Sequence, residues 1–244
     1  MKLSEVSIDL AVDGGLMRCR MMDTLPQRDR PALVLYSEIF QLTGPVLRLA
    51  RFYAGHGYRV YVPEVYWRRL PIGTVLGYDD AGRDLGNSLK PLTPMADYDL
   101  GLAAILEHAR NDGLDRFGAI GYCLGGHLSF RAALSPEISA SVCFYGTDLH
   151  GASLGPAGQC DTLARCSEIQ GSMLMIWGRQ DPHIPLEGRR TVQAALEAAG
   201  TDYEWHEFNA SHAFGRDEGE RHDPELSRSS HGLALDFLAR NLKF

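Results

Sequence analysis

Short apolar runs alternate along this chain with helix-length amphipathic segments. The runs predict strands at residues 6–12, 16–21, 32–36, 58–62, 117–122, 141–145, 172–177 and 203–208. From residue 32 onward they are mostly continuous rather than alternating, the pattern of strands buried on both faces of a parallel sheet. Apolar positions at helical spacing predict helices at 45–56, 97–111, 125–134, 187–199 and 224–241. Pro45 suits a first helical turn, and Gly57 and Gly200 suit helix ends. Two strands followed by repeated strand–helix units imply right-handed crossovers. The expected class is therefore α/β, a mostly parallel sheet of about eight strands with helices on both faces. No repeat, low-complexity tract or Ser/Gly linker interrupts the pattern, so one domain over 1–244 is expected.

Residues 63–94, 146–170 and 209–223 fit no regular element. Each stretch follows a strand. In an open parallel sheet the segments after the strands gather at the carboxyl edge, where ligands bind. Long loops in a compact domain are commonly functional, so these three are expected to wall a pocket.

Composition narrows the function. Hydrophobic residues are 45% and charged residues 23%, which excludes a disordered chain. The longest apolar runs, such as 32–36, fall far short of the ~18 residues of a membrane span. Early acids at Glu5 and Asp9 interrupt any export signal. Lys and Arg number 24 against 31 Asp and Glu, a net charge of −7 with no basic run, which argues against a nucleic-acid partner. An anionic substrate would need its own local cation. Cys19, Cys123, Cys143, Cys160 and Cys166 form no CxxC pair. That argues against a disulfide framework or a cysteine zinc site and for a reducing cytoplasm. No cofactor or metal is called for: His206, His212 and His222 match no ligand spacing. The expected partner is a small molecule, with no nucleic acid and no membrane; a monomer is compatible with the sequence, which leaves the oligomeric state open.

The chemistry centres on Gly121-Tyr122-Cys123-Leu124-Gly125, at the junction of a predicted strand and helix. This is the G-x-S-x-G nucleophile turn with Cys in place of Ser. Small residues two positions either side let strand and helix pack closely. The side chain between them then projects beside a helix N-terminus, whose positive end favours a thiolate and a developing oxyanion. In such folds the acid and then the His follow the nucleophile in chain order. Asp181 lies just past the run at 172–177, and His212 just past the run at 203–208. A neutral imidazole held by a carboxylate can take the thiol proton and later return one to the leaving group. The competing reading is a buried structural cysteine on an ordinary strand–helix turn.

With Gly126, Asp181 and the run Ser211-His212-Ala213-Phe214-Gly215-Arg216, this segment resembles the dienelactone hydrolase family of α/β-hydrolases. Ser37-Glu38-Ile39-Phe40 resembles the family's Glu-Ile-Phe segment, and residues 57–66 its Gly-Tyr…Pro-(Asp/Glu)-x-Tyr stretch. The resemblance runs from about residue 30 to the end. It implies a Cys123–His212–Asp181 triad acting on a small unsaturated lactone, in aromatic or chloroaromatic degradation. It also implies a Glu38 carboxylate against the resting thiol, which substrate binding moves aside. The backbone N–H groups of Leu124 and Ile39 would form the oxyanion hole. Arg216 would hold a substrate carboxylate, with Arg83 as the second anchor, Arg68 and Arg69 behind it, and Tyr78 or Trp67 as pocket aromatics. Two departures stand out: Gln41-Leu42-Thr43 replaces the Gly that usually follows Phe, and Ala213 stands where Ser is common. A related esterase or thioesterase, a catalytically silent ligand-binding homologue and a redox-sensing Cys123 remain open readings at this point.

Overall fold

In the computed structural model, which describes residues 2–25 and 30–242, one eight-stranded sheet organises the chain. A long antiparallel hairpin opens it, β1 (Lys2–Val12) and β2 (Gly15–Leu25). Its turn is Asp13-Gly14, both at positive φ, as a two-residue hairpin of matching twist requires. Then follow β3 (Ala32–Tyr36), α1 (Gly44–Gly55), β4 (Arg59–Pro63), α2 (Asp80–Leu89), α3 (Met95–Asn111) and β5 (Phe117–Tyr122). The chain continues through α4 (Leu124–Ala132), β6 (Ile138–Phe144), β7 (Ser172–Gly178), α5 (Leu186–Ala199), β8 (Tyr203–Phe208) and α6 (Pro224–Leu242). The strand order is β1-β2-β4-β3-β5-β6-β7-β8. Pairing is antiparallel from β1 to β4 and parallel from there to β8.

The continuous apolar runs have a direct cause. Successive strand side chains face opposite sides. Leu33 and Leu35 join Tyr53 of α1 and Phe237 of α6 in one core, while Ala32, Val34 and Tyr36 join Ile105 of α3 and Leu128 of α4 in the other. Helices cover both faces, so neither set of side chains meets water. The eight strands fall where the pattern places them, with longer first and second strands and an earlier start to β6. Pro45 sits in the first turn of α1, and Gly200 ends α5 in the left-handed conformation at φ 66.

Two of the three stretches expected to be irregular contain helix, and in 146–170 it is a 3₁₀ helix, Leu163–Glu168. The stretch 63–94 contains α2 and a short 3₁₀ turn, Lys90–Leu92. Two glycines and few apolar residues hide this helix from a periodicity reading. Both glycines are packing devices. A Cβ at Gly82 would stand 2.1 Å from the Gly77 carbonyl oxygen, and one at Gly86 would stand 2.9 Å from that of Ile39. The Asp79 side chain caps the helix by accepting the Gly82 N–H at 2.7 Å, a sequence signal that could have revealed it. No helix among the described residues is long and apolar enough to cross a membrane, and all five cysteines are free.

Candidate active site

Cys123 occupies the sharp turn between β5 and α4, at φ 59. The turn closes only because of its glycines. A Cβ on Gly121 would lie 1.8 Å from the Gly125 carbonyl oxygen, and one on Gly125 would lie 2.2 Å from that of Tyr36. The Cys123 N–H donates to the Phe144 carbonyl at 3.1 Å, and its own carbonyl accepts from Gly126 and Thr147. These bonds hold a backbone conformation that costs about 1–3 kcal/mol in a non-glycine residue. The half-buried thiol is thereby fixed at the start of a helix.

Asp181 follows β7 and is buried. Its Oδ1 accepts the His183 N–H at 2.8 Å, and its Oδ2 accepts from His212 Nδ1 at 2.6 Å. That bond fixes the His212 tautomer and leaves its other nitrogen for the Cys123 sulfur. Burial alone pushes the His212 imidazole down, but the Cys123 sulfur and the Asp181 carboxylate more than reverse this, raising it to about 10. The Tyr145 ring meets His212 edge-on at 5.2 Å, and His183 does so at 4.7 Å. The next residue, Ala213, adopts φ 60.

Cys123 and His212 line a cavity of about 810 Å³, as do Glu38, Ile39, Tyr78, Arg83 and Arg216. The N–H groups of Leu124, the first residue of α4, and Ile39, in the turn after β3, donate to no backbone carbonyl among the described residues. Gln41, where glycine was expected, is at φ 68, the backbone region glycine favours. Arg216 stacks on the Tyr78 ring, 4.2 Å from its centroid, and its Nε donates to the Glu218 carbonyl. The Glu38 Oε2 accepts from the Tyr78 hydroxyl at 3.2 Å and pairs with Arg216 at 3.4 Å.

The dienelactone hydrolase family model matches residues 21–242. The chain belongs to that family. It is a hydrolase of ester or lactone bonds. A Saccharomyces cerevisiae protein named "Putative carboxymethylenebutenolidase" is 36% identical over 228 residues, 89% of this chain and 83% of that protein. The Pseudomonas putida carboxymethylenebutenolidase is 26% identical, over 86% and 85% of the two chains. Among solved structures, a Klebsiella pneumoniae protein described as a "Putative Dienelactone Hydrolase" superposes with a TM-score of 0.85 at 21% identity, over 98% of this chain and all of that one. That likeness establishes the α/β-hydrolase fold.

Within this family member, the expected residues converge unevenly. Cys123, His212 and Asp181 come together from three strand ends. Glu38 meets Tyr78 and Arg216 rather than standing with the thiol as its hydrogen-bond partner. Arg83 lines the cavity, but its guanidinium is taken up by Asp80 and Asp84 of its own helix. Arg68 pairs with Asp13 and Asp97, away from the cavity. Trp67 is buried elsewhere, its Nε1 donating to the Asp97 carbonyl at 3.3 Å. Sequence reasoning missed His183, two residues past Asp181, and the wall formed by Asn87, Lys90 and Asp148. The His183 ring is visible in sequence only as a neighbour of the acid. The others belong to the helix and loop that carried no pattern.

Proposed function

We propose that this chain opens a small unsaturated enol lactone bearing a carboxylate, of the dienelactone type, through an acyl-thioester on Cys123. The observation that carries the reading is the 2.6 Å bond from His212 to Asp181 beneath the cavity, which turns the other imidazole nitrogen toward Cys123. The sulfur attacks the lactone carbonyl, and its proton resides on His212. The tetrahedral oxyanion accepts hydrogen bonds from the Leu124 and Ile39 N–H groups. Collapse breaks the ring C–O bond and expels an enolate, a far better leaving group than an alkoxide, which takes the proton from His212. Water, deprotonated by His212, then attacks the thioester and restores the thiol.

Arg216 is the anchor for the substrate carboxylate, and its stack on Tyr78 orients the guanidinium plane. Glu38 already shares that guanidinium, so an incoming carboxylate competes with Glu38 for it. Such lactones arise from cleaved aromatic rings, which places the reaction in aromatic or chloroaromatic degradation, inside the cell where the thiol stays reduced. The test is loss of cis- and trans-dienelactone absorbance with wild-type and Cys123→Ala protein. Hydrolysis of either isomer by the wild type alone is expected; turnover by the variant, or by neither protein, overturns the reading.

A further inference from the structure

The cavity is much larger than the lactone. Pockets of roughly 300–1,000 Å³ take drug-sized ligands, whereas a dienelactone has about ten non-hydrogen atoms and fills a fraction of the 810 Å³ present. The surplus space runs along α2. Asp80, Arg83 and Asn87 recur at helical spacing, Lys90 follows in the same register, and all four line the cavity. Ten residues at 1.5 Å each span roughly 15 Å.

The two ends of that span differ in chemistry. Near the N-terminus of α2 stand Arg216 and the apolar surfaces of Phe40 and Tyr78, the two rings in edge contact at 4.7 Å, while Ile39 packs on Gly86 further along the helix. At the other end the lining is polar. Lys90 Nζ donates to Asp148 Oδ2 at 2.9 Å. Asp148 also accepts from the Thr147 hydroxyl at 2.8 Å and the Ser153 hydroxyl at 3.2 Å. Asn87 lines the same cavity. Lys90 is already matched by Asp148, and Arg83 by Asp80 and Asp84. An alkyl chain would strip water from these groups without replacing its hydrogen bonds. A group carrying hydroxyls replaces those bonds.

We propose that the Lys90–Asp148 end of the cavity is a second subsite, which takes a hydroxylated alcohol portion of an ester whose acyl group sits over Cys123. Which end holds the acyl group rests on the proposed role of Cys123; the existence of the subsite does not. The protein therefore accepts polar esters larger than the lactone.

Two measurements separate these points. Binding is read by calorimetry on Cys123→Ala protein, with 3-phenoxypropane-1,2-diol and phenyl propyl ether as probes on one carbon skeleton. The diol is expected to bind about five-fold tighter, the worth of one or two net hydrogen bonds, and Asn87→Leu or Ser153→Ala is expected to shrink that ratio toward one. Equal binding, or tighter binding of the ether, overturns the subsite. Turnover is read on wild type with 4-(2,3-dihydroxypropoxy)phenyl acetate and 4-propoxyphenyl acetate, whose leaving groups match in basicity. A several-fold higher kcat/KM for the diol ester is expected, and a ratio of one overturns the placement of the alcohol portion. If Cys123→Ala hydrolyses both esters as fast as wild type, the nucleophile assignment fails, while the binding ratio still decides the subsite.

Discussion

Gly86 of α2 lies flat against Ile39, so closely that a Cβ at position 86 would stand 2.9 Å from the Ile39 carbonyl oxygen and 3.0 Å from its Cβ. The buried Tyr66 hydroxyl holds that stretch of helix by donating to the Gly86 carbonyl at 2.9 Å. A helix on the cavity wall thus sets the position of the peptide proposed as half of the oxyanion hole. Gly86→Ala is expected to push Ile39 aside and lower kcat by up to about 10²-fold, with little change in KM, since a displaced oxyanion donor is felt mainly in the transition state. Steady-state kinetics on a variant with wild-type circular dichroism checks this. An unchanged kcat removes Ile39 from the oxyanion hole.

Removing the sulfur should change the imidazole as well as the rate. Cys123→Ser is expected to lower kcat by at least about 10³-fold, because a hydroxyl is far harder to ionise than a thiol in the same place. With its largest raising influence gone, His212 is expected to titrate well below about 10. The sign follows from the protons bound. In the wild type the folded protein holds the His212 proton more tightly than the unfolded chain. The stabilisation this brings is complete below pH 6.5 and is lost as pH rises toward about 10. Nitrogen-15 NMR of labelled histidine in both proteins measures the difference directly.

Arg216 is the cation proposed to meet the substrate carboxylate, and Glu38 is its resting partner. Arg216→Ala is expected to raise KM for a carboxylated lactone roughly ten-fold or more, the worth of a charge-assisted hydrogen bond. For a neutral ester such as phenyl acetate the change should be small. Equal effects on both substrates would remove the anchor role.

A second imidazole is expected to cost stability in acid. His231 of α6 is buried, its Nδ1 bonded to the Ser227 carbonyl at 2.7 Å and its Nε2 to the Tyr122 hydroxyl at 3.1 Å. Burial pushes it down to about 4 from an ordinary 6.5. Between these values the unfolded chain takes up a proton that the folded protein refuses. Stability is therefore complete above pH 6.5 and is lost as pH falls toward 4, by on the order of 3 kcal/mol for this one group. His127 is shifted in the same direction, also to about 4. His231→Gln should flatten the dependence of the urea midpoint on pH in this window without abolishing it. An unaltered slope would mean that His231 does not titrate on unfolding.

Much of the site was legible in the chain because its causes are local. The Gly121–Gly125 spacing is dictated by backbone atoms less than a residue's width apart, so the turn that carries Cys123 announces itself in five letters. The strands are legible because burial on both faces leaves no polar position in runs such as 32–36. Asp181 and His212 follow from chain order, once each strand end is known to reach the same edge of the sheet.

What the sequence by itself determined is thus the α/β layering, the Gly121–Gly125 turn that carries Cys123, and the order of Cys123, Asp181 and His212. The tertiary structure alone decided that residues 80–89 form a helix, that Glu38 leans on Tyr78 and Arg216, and that Arg83 is claimed by Asp80 and Asp84. The reason is physical. A helix held by Gly82 on Gly77 and by Gly86 on Ile39 draws its stability from close contact with backbone outside itself, not from a periodic apolar stripe. The partner of a charged side chain, likewise, depends on which opposite charge the fold brings near, and residues 38 and 216 are joined only by the packing of loops from β3 and β8.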